Sequence, residues 1–470
     1  MATSLKKNFL YNAFYNVLVL ILPLVTAPYI SRIMGAEKIG VYSYSYSVAS
    51  YFGLFILMGL TNYGNRTIAG VKENKNELSR TFWSIYFMQI IMAIVVIIIY
   101  IFYVYFIASD KVMASIQLLY LISVALDINW FFFGMELFKL TVTRNTIIKL
   151  LNVTLIFLLV KSKNDIYIYG IIMTIGPLLS QLFLWIFLRR YIRITKITIN
   201  DIILHIKPNL VLFIPVIAIS LYTIMDRVML GIMSTMKEVG YYENSNKLTQ
   251  IPVMAITSLG TVMLPRMSNL VANGRNEETK KYIQKSLIIS MFLSSSMAFG
   301  LSAISKEFVP FFYGRGFEKC INLIPVLLLS SIFISFANVI RTQYLIPYKK
   351  DNIYIVSVFL GAFVNMGINL LLIPNIQSVG AAIGTLCAEM TVCIYQVYMV
   401  KNEIRVLHYL KQGIPLMISG VLMYVIVINI PFITNYIVTI IIKVVVGTII
   451  YLFLVGIYYL GGLKSIFRKQ

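Results

Sequence analysis

The stretch Glu37-Lys38-Ile39-Gly40-Val41-Tyr42 returns two hundred residues later as Lys237-Glu238-Val239-Gly240-Tyr241-Tyr242. At the same offset Arg66 meets Arg266 and Arg80 meets Lys280, and further on Arg144-Asn145 and Gly170 parallel Asp351-Asn352 and Gly380. Charged and glycine positions held in register over this distance read as an internal repeat. Around these anchors lie apolar runs such as Ile90–Ile107 and Val438–Leu460, about the ~20 residues that a bilayer-spanning helix needs. Drawn as helices they give fourteen spans from 9–31 to 436–458, among them 112–133, 145–160, 209–232 and 286–305. Helices 1–6 and 7–12 then look like two copies of one bundle, with helices 13 and 14 added. Six is even, so the copies share one orientation and are related by an axis along the membrane normal, an architecture of transporters with the substrate path between the halves. The expected fold is therefore an all-α integral membrane protein of about fourteen transmembrane helices in two parallel six-helix repeats plus two extra helices. Its expected parts are an N-terminal lobe at 1–208, a C-terminal lobe at 209–408, and two further helices with a basic tail at 409–470.

Composition agrees with this reading. The 470 residues are 59% hydrophobic and 12% charged, with a mean hydropathy of +0.84. Soluble domains keep roughly a quarter of their residues charged, so a soluble enzyme, a secreted disulfide scaffold and a disordered chain are all excluded. The net charge of +22 has a topological cause: the even-numbered connections and both tails hold 28 of the 40 Lys and Arg but 8 of the 18 acids. That asymmetry is the positive-inside pattern and places both termini in the cytoplasm. A nucleic-acid groove would need clustered cations without a membrane register, so no nucleic-acid partner is expected. Cys320, Cys387 and Cys393 have no C-x-x-C spacing, and His205 and His408 are the only histidines. No metal and no cofactor are expected. The run after Lys6-Lys7 is too long for a signal peptide, and Thr26-Ala27-Pro28 is a poor cleavage site, so it reads as a retained first helix.

Polar side chains stand where they are expensive. Helix 1 carries Asn8, Asn12 and Asn16 on one face, followed by Pro23 and Pro28, which should kink it. Helix 5 aligns Asn145, Lys149 and Asn152; helix 7 has Tyr222 and Asp226 four apart, with Arg227 alongside; helix 8 opens on Glu243 and Lys247. Helix 10 holds Asn338 and Arg341, helix 11 Asn365 and Asn369, helix 12 Glu389, and helix 4 Asp127. A charge in hydrocarbon costs on the order of 3 kcal/mol by insertion scales, so such groups face protein or a wet cavity. Each has a plain structural alternative. Asparagines four apart pin helices together, Glu243 and Lys247 form an ion pair, Asp226-Arg227 anchors a helix end, and Lys149 reaches the interface. Tyr42, Tyr44 and Tyr46 alternate with serines in a strand-like period, but an isolated strand in a bilayer leaves its backbone unsatisfied, so the segment is helix. Interfacial placement accounts for most tyrosines; those lining a cavity could stack on sugar rings. Motifs of enzyme chemistry, a P-loop or a G-x-S-x-G elbow, are not found. The longest external connection, about Lys306–Lys319, is short for a polysaccharide polymerase or ligase.

Six stretches, in order and spacing, resemble one known family over essentially the whole chain. They are Pro28–Gly35, Asp226–Gly231, Val239–Glu243, Thr257–Gly260 running on to Leu264-Pro265-Arg266, Arg341–Pro347 and Gly380–Thr385. The family is the Wzx-type oligosaccharide repeat-unit flippases, the polysaccharide transporter branch of the multidrug/oligosaccharidyl-lipid/polysaccharide exporter superfamily. The resemblance implies two lobes about a cationic cavity and transfer of an undecaprenyl-diphosphate-linked oligosaccharide for O-antigen or capsule assembly. Polysaccharide polymerase and chain-length machinery are then the expected protein partners, beside the bilayer itself. Related peptidoglycan-precursor flippases carry extra arginines early in helix 1; Asn8–Thr26 has none, which argues against lipid II as cargo. By this reading no residue is catalytic. Arg32, Lys149, Arg227, Lys247 and Arg341 are candidate contacts to the diphosphate or to acidic sugars, and Tyr42, Tyr46, Asn12 and Asn16 candidate cavity lining. Asp127, Asp226, Glu243 and Glu389 are candidates for coupling to protons or cations, because buried carboxylates titrate when their surroundings shift. The rival readings are a cation-coupled multidrug-type exporter of the same superfamily and a membrane-embedded polysaccharide polymerase or ligase.

Overall fold

A computed structural model describes the backbone of residues 5–467 and the side chains of 22–458 except Tyr222 and Leu407. Asn12 and Asn16, expected to line a cavity, lie outside the described side chains. Among the described residues the regular structure is entirely helical, Tyr42–Tyr46 included. Thirteen segments are long and apolar enough to cross a membrane, and the first, Leu22–Val71, contains two helical arms. These arms meet at Gly35 (φ 70°, ψ 172°), a left-handed conformation that disfavours a side chain. Fourteen crossings among the described residues match the expected number. The first helix, α1 (Leu5–Leu57), runs through Pro23 and Pro28 and breaks at Gly35, not at the prolines.

The chain divides into two compact units: Met1–Gly231 with Thr235–Gly240, and Ile232–Ser234 with Tyr241–Gln470. The first unit holds α1, α2 (Leu60–Val71), α3 (Lys75–Phe106), α4 (Lys111–Ala125), α5 (Asn129–Gly134), α6 (Phe138–Leu159), α7 (Ile166–Leu188) and α8 (Ile199–Thr223). Side-chain caps start several of them: Asn74 Oδ1 accepts from the Glu77 amide (3.3 Å), Asp110 Oδ1 from Met113 (2.9 Å), and Thr198 with Asp201 forms a reciprocal capping box. Its interior is aromatic, with Phe82 stacked on Trp130 and Tyr100 fully buried beside Phe52. Outward faces carry Ile98, Ile101 and Phe102, each about half exposed, as lipid contact requires.

Within this unit the backbone at Gly40 of the first hexapeptide meets that at Met236–Gly240, which holds the start of the second. A Cβ built on Gly40 would stand 2.6 Å from the Met236 carbonyl carbon, and one on Gly240 2.7 Å from that of Ala36. Only glycine permits so close a backbone approach.

Four sequence-derived spans are corrected. The span 112–133 is interrupted at 126–128, which puts Asp127 at the break between α4 and α5. The span 145–160 begins seven residues earlier, at Phe138, so Arg144 is not a connection cation but a buried helix residue. The span 209–232 stops at Thr223 and resumes as α9 (Met225–Met233), so Tyr222 and Asp226 do not share a continuous helix. The span 286–305 continues to Phe312, and the loop reduces to 313–319, turned by Gly314 (φ 86°) and Gly316 (φ 90°).

The second unit contains α10 (Met236–Ala272) from Tyr241 onward, α11 (Asn276–Phe312), α12 (Cys320–Ile340), a π-turn at Arg341–Leu345, α13 (Asp351–Ile376), α14 (Ser378–Val400), α15 (Val406–Ile428) and α16 (Tyr436–Phe467). The two additional helices, α15 and α16, pack on α11. Extension of α11 brings Glu307 to Lys443 of α16 at 2.8 Å, with side chains 7% and 2% exposed. Breaking a buried pair by removing one partner costs about 3–5 kcal/mol, because the other charge is stranded. Lys443→Met alone is therefore expected to lower the melting temperature of the detergent-purified protein sharply, and Lys443→Met with Glu307→Gln to restore most of it. Outside the spans, the Lys350 ammonium and the Tyr344 hydroxyl bond to Glu403 and hold its carboxyl below the ordinary glutamate value.

Candidate functional site

Tyr42 and Tyr46, the candidate cavity tyrosines, stand near the start of the second arm of α1. Tyr42 and Tyr46 lie one turn apart with rings stacked at 6.0 Å and 9°. The structure adds two partners that sequence reasoning missed. Tyr169 of α7 stands edge-on to Tyr42 at 4.9 Å, and Tyr120 of α4 edge-on to Tyr46 at 5.2 Å. Tyr46 remains 40% exposed. The result is a four-ring cluster in which Tyr46 is the exposed member and Tyr169 is buried. No spacing in the sequence relates 42, 120 and 169; only the packing of α1 on α4 and α7 does so.

A second cluster surrounds Asp127. Its Oδ1 accepts from the Asn129 amide (2.8 Å) and the Asn129 side chain (2.7 Å). Arg144 reaches in from α6, donating to the Ser180 carbonyl (2.9 Å), Asn129 Oδ1 (3.0 Å) and Asn145 Oδ1 (2.7 Å), and its charge acts on the Asp127 carboxylate. Gln89 donates to the carbonyls of Val124, Ala125 and Asp127 at the break after α4, where helical pairing runs out. The one advance signal for this cluster is the polar pair Ser180-Gln181 facing Arg144-Asn145. Removing the guanidinium strands several buried acceptors and an acid, so Arg144→Met is expected to destabilise the protein by about 3 kcal/mol. Arg144→Lys is expected to recover little, since an ammonium lacks the three-way fork. Thermal unfolding in detergent checks both.

In the second unit Arg341 opens the π-turn, donates to the Tyr354 hydroxyl (3.2 Å) and sits 5.3 Å over that ring. Its charge acts on Glu389 of α14, which is buried. π-turns inside helices are frequent at functional sites. Lys247 and Glu243 form the anticipated ion pair at 3.3 Å, one turn apart on α10. Arg227 donates to the Thr223 carbonyl across the break before α9, beside the buried Asp226. Arg32 is exposed on α1 and Lys149 half-buried on α6.

The asparagine stripes have another destination. Asn152 lies against Gly176, Asn338 against Gly260, and Asn369 against Gly384 while donating to Asn365 at 3.2 Å. Each glycine gives an amide room to sit on the neighbouring helix, so these asparagines join helices.

Comparison with known proteins adds kinship to this geometry. The family described as "Polysaccharide biosynthesis protein" matches residues 5–271. A protein of Escherichia coli (strain K12) named "Putative O-antigen transporter" is 22% identical over 405 residues, covering 85% of this chain and 97% of that one. Among solved structures, the lipid II flippase MurJ in an inward closed conformation superposes with a TM-score of 0.79 at 16% identity, over 97% of this chain and all of that one. An inward-facing multidrug resistance MATE family transporter of the MOP superfamily gives 0.59 at 12% identity, over 83% of this chain and 99% of that one.

Proposed function

Because the chain belongs to the polysaccharide biosynthesis protein family, we propose that it is a flippase for an undecaprenyl-diphosphate-linked oligosaccharide repeat unit. It carries that unit from the cytoplasmic to the outer face of the bacterial cytoplasmic membrane by alternating access, supplying O-antigen or capsule assembly. The observation that carries this reading is the nearly full-length kinship with a protein named "Putative O-antigen transporter" on a fourteen-helix fold. The moving parts are the repeats at 1–208 and 209–408, with 409–470 as an addition, and both termini are cytoplasmic, as the charge asymmetry supports. Transport leaves the cargo covalently unchanged, so the protein is not an enzyme; polymerase and chain-length proteins take over the delivered unit.

Within this mechanism Arg32, Lys149, Arg227, Lys247 and Arg341 meet the diphosphate or acidic sugars, and Tyr42 and Tyr46 stack on the sugars. Asp127, Asp226, Glu243 and Glu389 serve coupling to an ion. The polyprenyl chain stays in lipid throughout, so only the polar head has to be carried across the hydrocarbon.

Complementation tests the reading. A bacterium of known O-antigen, deleted for its resident flippase and expressing this chain, should regain surface polymer or clear precursor trapped on the cytoplasmic face. Trapped precursor together with new export of cationic dyes would instead mark a multidrug-type exporter.

A further inference from the structure

The first unit carries a cleft that the transport reading leaves unused. It is lined by Trp83 of α3, Trp185 and Ile186 of α7, and Arg189, Arg193 and Ile194 of the strap 189–198 that joins α7 to α8. Its volume is about 570 Å³, half open to the surroundings, within the ~300–1,000 Å³ of small-molecule sites. The strap is fixed in place. Trp83 Nε1 donates to the Arg193 carbonyl (3.0 Å), the Arg193 amide donates to Ser79 Oγ (3.1 Å), and Trp185 Nε1 donates to the Leu126 carbonyl (3.0 Å). The two indole rings stand 6.4 Å apart.

The charge here has one sign. From Ile166 to Asn200 there is no acidic residue, whereas Arg189, Arg190, Arg193 and Lys196 fall within eight positions. The next acid, Asp201, is engaged by Arg80 (2.8 Å) and by the Thr198 amide (2.8 Å). Beside the arginines, Ile194 is 91% and Ile186 68% exposed. Bare isoleucine, indole and guanidinium side by side are the composition of a bilayer interface. Trp185 lies sixteen residues beyond Tyr169 on one helix, or ~24 Å along its axis. The cleft and the tyrosine patch therefore sit near opposite faces of the membrane.

We propose that this cleft binds the headgroup of an anionic phospholipid, phosphatidylglycerol. Arg189 and Arg193 hold the phosphodiester by charge-assisted hydrogen bonds, the indoles flank the glycerol, and Ile186 and Ile194 meet the acyl chains. The site rests on the membrane-spanning fold and is independent of what the protein transports.

Native mass spectrometry of the purified full chain in mixed detergent micelles, with phosphatidylglycerol or phosphatidylcholine as probe, tests it. The protein is expected to retain phosphatidylglycerol in about tenfold preference, and Arg189→Gln with Arg193→Gln to lose that preference, as one charged hydrogen bond of ~1.5 kcal/mol would give. Arg405→Gln, an exposed cation of the second unit, is expected to leave it intact. If the double variant does not purify monodisperse, Arg193→Gln alone supplies the same comparison with a smaller loss. Equal retention by wild type and variant, or equal retention of the two lipids, overturns the proposal. So does displacement by inorganic phosphate alone, which marks a free-anion site, or by equimolar undecaprenyl diphosphate, which marks a substrate site.

Discussion

Gly40→Ala and Gly240→Ala are each expected to cost about 3 kcal/mol, at the upper end of overpacking effects, and so to lower the folding equilibrium about a hundredfold. The reason is that backbone meets backbone. A methyl on Gly40 would lie 2.6 Å from the Met236 carbonyl carbon and 3.0 Å from the Gly240 nitrogen. One on Gly240 would lie 2.7 Å from the Ala36 carbonyl carbon and 3.1 Å from its Cα. No side chain can rotate away to admit it, so the two helices must separate along several turns. Intrinsic propensity acts in the opposite direction, because alanine is favoured over glycine in a helix by roughly 0.5–1 kcal/mol. Gly70→Ala isolates that term: Gly70 is also helical, with nothing within 4 Å of its would-be Cβ. Gly70→Ala should match or exceed wild type in melting temperature, while Gly40→Ala and Gly240→Ala fall well below it. Equal melting temperatures in all three variants would mean that the crossing is not as close as described.

Arg341→Ala is expected to reduce surface polysaccharide by about thirtyfold, the loss of one charge-assisted contact of ~2 kcal/mol to a diphosphate. Loss of the guanidinium also leaves Glu389 buried without the cation that acts on it, so lower protein abundance could imitate a transport defect. Arg341→Met combined with Glu389→Gln separates lost stability from lost transport, because it removes both charges while keeping the volume; Glu389→Gln alone, which keeps the guanidinium, separates the loss of Arg341 from the loss of a coupling carboxylate. The double variant should regain wild-type thermal stability and membrane abundance yet still fail to deliver polymer. Normal polysaccharide in the double variant would reduce Arg341 to a structural partner of Glu389.

What could be read from the sequence, and what could not, has a physical pattern. Helix number follows from the length of apolar runs; for the hexapeptides around Gly40 and Gly240 the structure supplies a physical reason, an approach that only glycine allows. Helix ends were harder to read. Arg144 looked like a connection because a cation is costly in hydrocarbon, and only the convergence of Asn129, Asn145 and Ser180 makes it acceptable inside α6. Glu307 falls in the expected connection Lys306–Lys319, and its partner Lys443 lies more than a hundred residues away. The asparagine stripes show the limit of periodicity. Spacing says that Asn365 and Asn369 share a face, but whether that face meets water or a glycine of the next helix depends on Gly384. The tyrosine patch was half visible, since Tyr42 and Tyr46 are local neighbours whereas Tyr120 and Tyr169 arrive through packing.

Movement of a lipid-linked oligosaccharide across a bilayer is the central claim, and reconstitution measures it directly. Proteoliposomes carrying undecaprenyl-diphosphate-linked oligosaccharide are exposed to an external glycosidase that cannot cross the membrane. Vesicles containing the protein should pass from outer-leaflet cleavage toward complete cleavage, with Arg341→Met/Glu389→Gln vesicles remaining at the level of empty ones. Cleavage confined to the outer leaflet in the presence of folded wild-type protein, for every repeat unit supplied, would contradict the account.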